Sequence, residues 1–181
     1  MEINDLEKEL IKFLHKKKIK YYSCIKELNI DSNQLYFLQT KEYDNENDKR
    51  LYRRNQVRKG NYNLNKTVVN SGVKDLARFH NAGYKGLYNG ETADDIFKRK
   101  KLRYREDILD NMGSEELADN IFRIAQTDAK LKRDNVDNEY TANSVHYEIG
   151  KKVRKVIEDM GGIMPENLPI PDKSLKELEK R

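Results

Sequence analysis

Covalent chemistry has little to stand on in this chain. Its 181 residues hold one cysteine, Cys24, so no internal disulfide can form, and a zinc site built on thiolate pairs is excluded. Cys24 reads most simply as a small core residue. The three histidines, His15, His80 and His146, are scattered among polar neighbours, and none stands in a metal-binding pair. Apolar residues are scarce at 36%, fewer than the 37% that are charged, which favours amphipathic helices with heavily charged outer faces. Only three prolines and nine glycines interrupt such helices. No apolar run approaches the roughly 18 to 20 residues that cross a bilayer. The opening Met1-Glu-Ile-Asn-Asp5 lacks the basic-then-apolar pattern of a secretion signal, so a cytoplasmic location and no membrane partner are expected.

What is present is charge, unevenly spread. Residues 1–50 hold ten basic and ten acidic side chains, residues 51–113 fourteen and seven, and residues 114–181 twelve and fourteen. The cationic character belongs to the middle, where a polyanion such as nucleic acid is the usual partner and an acidic protein surface the next.

Periodicity predicts an all-α protein, a multi-helix globule with a long helical hairpin in its C-terminal half. Ile3, Leu6, Leu10, Phe13 and Leu14 fit a helix over 3–15 that ends in the Lys16–Lys18 run. Two short helices follow over 23–28 and 32–38, so residues 1–49 form a small helical head that a helix-turn-helix could also describe. The polar stretch Tyr43–Asp48 is the expected boundary, and residues 50–181 are the core. Residues 50–65 read as a solvated helix or an ordered arm that groups Arg53, Arg54 and Arg58 along one side. A short helix over 73–80 should stop at Gly83, and Thr92 should cap a helix starting at Ala93, with Asp95 completing a capping box. Helices are further predicted over 105–111, from Ser114 to about Arg133, and from about Val145 to Met160 ahead of Gly161-Gly162. Leu117, Ile121, Ile124, Ala125 and Leu131 are the buried stripe of the first long helix. Val145, Ile149, Val153, Val156, Ile157 and Met160 are that of the second. Pro165, Pro169 and Pro171 make an extended segment before a terminal helix over 173–180.

Catalytic readings are weak. His146 and Glu148 are two apart on a helix and diverge. Asp94 with Asp95 and Asp107 with Asp110 are carboxylate pairs of a kind that could hold magnesium, yet they sit at helix starts or on charged faces where acids are ordinary. Gly83, Gly86 and Gly90 match neither a Walker nor a dinucleotide fingerprint and are expected to permit positive backbone angles in a compact loop. No metal, cofactor or catalytic residue is expected. The binding signal is stronger. Tyr84 and Tyr88, with Lys85 between them, could stack on bases or pack under the helices, and Lys98, Arg99, Lys100, Lys101, Arg103 and Arg105 crowd six cations into eight residues.

Three motifs stand in order along the core: Asn81-Ala-Gly-Tyr-Lys-Gly-Leu-Tyr-Asn-Gly90, Ile108-Leu-Asp-Asn-Met-Gly-Ser114 continuing to Arg123, and Gly150-Lys-Lys-Val-Arg-Lys155 with Gly161-Gly-Ile-Met-Pro165. In these the chain from about Arg50 onward resembles the C-terminal region of the DNA-damage-inducible protein D family, which includes related phage proteins. The resemblance implies a role in the DNA-damage response through non-enzymatic action on RecA-type filaments or their single-stranded DNA. It supplies no catalytic residues. The family usually carries a longer N-terminal BRO-type domain, which residues 1–49 do not resemble. A mobile-element inhibitor docking on a CRISPR effector, or an antirepressor binding DNA, are the alternative readings.

Overall fold

The computed structural model describes residues 46–179. The expected helices of the head, its helix-turn-helix and Cys24 therefore lie outside the described residues. Among the described residues there are six α-helices and no strand: α1 (Glu46–Asn70), α2 (Leu76–Leu87), α3 (Ala93–Arg99), α4 (Ser114–Arg133), α5 (Glu139–Asp159) and α6 (Leu175–Leu178), with 3-10 turns at Leu109–Asn111 and Pro165–Asn167. The fold is all-α. No described helix is long and apolar enough to cross a membrane.

The residues at the helix ends explain where most of these segments start and stop. The side chains of Asp75, Thr92, Asn138 and Ser174 each accept a hydrogen bond from the backbone three residues on. Thr92 with Asp95, and Ser174 with Glu177, form reciprocal capping boxes. Gly72 and Gly161, at φ of 82° and 70°, turn the chain after α1 and α5 in a conformation that costs other residues a steric penalty.

The core gathers apolar side chains from five helices, among them Leu64, Phe79, Leu87, Ile96, Leu117 and Val153. Helices α4 and α5 pack as the expected hairpin, and α5 crosses α2 over a still longer contact. At that crossing Gly83 and Gly86 of α2 meet Gly150 of α5. A Cβ at Gly150 would lie 2.8 Å from the carbonyl oxygen of Gly83 and 2.9 Å from the nitrogen of Leu87. Only glycine lets two helix backbones come this near.

Several expectations are corrected here. Gly83 does not stop a helix, because α2 runs through it and Gly86 to Leu87, and both glycines serve close packing. Gly90 alone of the three has a positive angle, φ 97°. The helix expected over 105–111 is a single 3-10 turn, whose Asp107 carboxylate accepts from the nitrogen of Leu109 and whose carbonyl accepts from Asn111. The stripe of α5 is Ala142, His146, Ile149, Val153 and Ile157, which leaves Val156 and Met160 exposed. Ala125 of α4 is likewise exposed.

Residues 50–65 are helical, within α1, but the helix is packed on the core and not merely solvated. It is anchored by arginines as much as by Val57, Leu64 and Val68. Arg50, buried, donates through Nε to the carbonyl of Met112 at 2.9 Å and through a terminal nitrogen to the carbonyls of Asp110 and Lys173, each at 3.0 Å. Arg54 joins Asp110 at 2.8 Å and Glu179, the residue that caps the end of α6. Charge-assisted bonds of this kind are the stronger class and fix orientation.

Candidate functional site

The candidate binding residues, Arg53, Arg54 and Arg58, the Tyr84–Tyr88 stretch and the Lys98–Arg105 run, are divided by burial in the fold. Arg53 donates to the carbonyl of Ser114 at 2.8 Å, Arg54 is buried in its carboxylate pair, and half-exposed Arg58 reaches Asp107 at 3.1 Å. Arg54 and Arg58 clamp the 3-10 turn through Asp110, and Arg53 holds the start of α4. The Asp107–Asp110 pair is held by arginines, and no cluster that could hold a metal occurs among the described residues.

Tyr84, Tyr88 and Lys100 are corrected as well, because all three lie inside. Lys100 is 4% exposed and donates to Glu116 at 2.8 Å and to the carbonyl of Asn111 at 3.1 Å. Tyr88 donates its hydroxyl to the other oxygen of Glu116 at 3.1 Å and accepts from Asn120 at 2.8 Å. Asn120 accepts in turn from Arg123 at 2.9 Å, and the Arg123 guanidinium lies 4.9 Å from the centre of the Tyr84 ring. Arg123 also donates to His146 Nε2.

Because a guanidinium only donates, His146 must present a lone pair there and carry its proton on Nδ1, which faces the carbonyl of Phe79 at 3.0 Å. Burial and the neighbouring Arg123 hold the His146 pKa well below its ordinary range, so the ring is neutral. Burial also pushes Glu116 up, against the pull of Lys100, and lowers Arg123. A Cβ at Gly83 would fall on Arg123 and His146, which shows why glycine sits over this network. The chain of polar groups joins α2, α3, α4 and α5 and has no path to solvent through these side chains, all of them buried. Its arrangement suits a rigid specification of the core.

The cations left outside are fewer. Lys98 and Lys101 are exposed and unpaired among the described residues. Arg99 is paired with Glu91 and Arg103 with Glu106. Exposed Arg105 lies over the ring of Tyr104, with both Lys101 and Arg105 at positive φ, 54° and 69°.

A second basic region, missed in the sequence, lies along the α2–α5 crossing. Two open grooves there share Lys85 and Tyr147. One is lined by Lys151, Lys152, Arg154 and Lys155, the other by Arg78, Asn143 and Tyr140. Arg154 is neutralised by Glu166 at 2.7 Å, and Lys155 by Asp159. Lys85, Lys151, Lys152 and Arg78 have no ion-pair partner among the described residues. Glu148 is the unpaired acid on the rim, since Asp75 caps α2 and Glu158 faces Lys155. Lys85 also joins this region to α3, because the capping Asp95 lies within the field of both Lys98 and Lys85.

Fold and surface together define a small all-α module with a buried polar network and cation-lined grooves along the α2–α5 crossing. The chain belongs to the family described as the DinD C-terminal domain, which matches residues 44–178. It is similar to DNA damage-inducible protein D of Escherichia coli (strain K12), with 47% identity over 137 residues that cover 74% of this chain and 50% of the relative. The chain thus spans about half the length of the curated relative it matches. No solved structure matches it.

Proposed function

We propose that this chain works in the response to DNA damage by binding, without turnover, and that its target is a RecA-type recombinase filament on single-stranded DNA. The observation that carries the reading is the exposed set Lys85, Lys98, Lys151 and Lys152, none of which has an ion-pair partner among the described residues. A filament that wraps DNA offers the extended negative potential such a surface would meet. The name of the relative supports the setting. The Tyr88–Glu116–Arg123–His146 network supports a binding role, since its titratable groups are buried away from solvent and engaged with one another.

The test is disassembly of recombinase filaments preformed on circular single-stranded DNA, followed by light scattering. The wild-type chain should lower the signal, and K85E/K151E/K152E should leave it unchanged. Equal activity of the triple variant rejects the surface. Co-purification with a nuclease effector instead of a recombinase would favour the anti-defence reading.

A further inference from the structure

We propose that the α2–α5 groove holds a strand of unpaired DNA directly, with bases stacked on Tyr140 and Tyr147 and phosphates on Lys85, Lys151, Lys152 and Arg78. The inference rests on the binding reading above and names its ligand and the residues that touch it.

Tyr140 and Tyr147 lie seven residues apart on α5, hence two turns along one face and about 10 Å along the axis. That span is about three base steps at ~3.4 Å each along one strand. Tyr140 is 85% exposed and Tyr147 37% exposed, so both rings present surface on which a base can stack. Both line the same groove, with Asn143 on the turn between them.

The cations follow the same line. Lys151 is one turn beyond Tyr147, with its ammonium 5.6 Å from the ring centre, and Lys85 faces both from α2. Arg78 lies toward the Tyr140 end. A file of aromatic rings flanked by unpaired cations is the general solution for single strands, whose bases are free to leave their stack, whereas a duplex presents only phosphates to such a groove. The glycine crossing makes the arrangement possible, because the near approach of Gly86 to Gly150 sets Lys85 beside Tyr147 and Lys151.

The experiment uses the full chain and a fluorescein-labelled (dT)20 oligonucleotide, read by anisotropy at 50 mM salt, with a duplex of equal length as comparison. Single-strand binding tighter than duplex binding is expected, with Y140A and Y147A each weakening it about tenfold and Y140F holding most of it. K151E/K152E should weaken it and flatten its salt dependence by roughly 0.7 logarithmic units per lost phosphate contact. Wild-type affinity in Y140A/Y147A, duplex bound as tightly as single strand, or no binding of (dT)20 overturns the inference. Filament disassembly by a chain that does not bind (dT)20 would sink this inference and leave the filament reading standing. Binding of (dT)20 without any effect on filaments would do the reverse.

Discussion

Lys98 and Lys100 are two residues apart in one basic run, and their replacement by methionine should give opposite outcomes. Lys98 is exposed, and substitutions of that kind stay within about 0.5 kcal/mol. Lys100 and Glu116 are both 0% exposed in their side chains and 2.8 Å apart. Methionine at 100 fills the volume but leaves a buried carboxylate with the Tyr88 hydroxyl as its remaining side-chain donor. Breaking a buried pair in this way costs about 3–5 kcal/mol, a large part of the roughly 5–15 kcal/mol that holds a domain together. At ~3–4 °C per kcal/mol for a domain of this size, the midpoint should fall by about 10–20 °C. The loss has a pH signature. Glu116 already has a raised pKa, and without Lys100 it rises further above its unfolded value. The penalty therefore grows as pH rises above the unfolded carboxylate range and shrinks on acidification, when the carboxyl takes a proton. Urea unfolding followed by far-ultraviolet circular dichroism at pH 5 and pH 8 reads all of this, and E116Q added to K100M should restore part of the lost stability. A K100M midpoint equal to that of K98M would refute the buried-pair argument.

Two further outcomes follow from the core. Gly86→Ala sets a Cβ against the Tyr147 carbonyl and the Gly150 backbone, so α2 and α5 must separate, and a loss of about 2–3 kcal/mol is expected in urea unfolding, whereas Gly90→Ala, with open space around its Cβ, loses only what its positive φ costs. His80, pushed down to about 4 by burial and by Arg123, stays neutral in the folded chain, so stability is lost as pH falls from about 6.5 toward 4; His80 and His146 proton resonances that titrate near 6.5 in the folded protein would contradict this.

How far the sequence revealed the fold depended on which forces hold each helix. The stripes of α4 and α5 follow a 3.6-residue apolar period, and Thr92 with Asp95 marked the start of α3 without ambiguity. Helix α1 was obscure because its buried face spends two arginines on carbonyl and carboxylate partners 56 to 125 residues distant, and no local pattern announces such partners. Helix α2 was cut short because a glycine inside a helix is ordinarily a cost, and its gain at Gly83 and Gly86 exists only against Gly150. The same limit governed the site. A run of cations does not reveal which member turns inward, so Lys100 and Lys98 looked alike. Tyr84 and Tyr88, on either side of Lys85, could face a ligand or the core by sequence, and both are buried. Tyr140 and Tyr147 carried a legible signal, since both fall off the stripe through Ala142, His146, Ile149 and Val153.

The arginines of α1 have one more effect. Arg50 holds the carbonyl of Lys173 and Arg54 holds Glu179, so the polypeptide enters and leaves this body through a single doorway. Ends held side by side in that manner can be bridged by a short linker, so a circular permutant of residues 50–179 opened at an exposed loop should keep the same core.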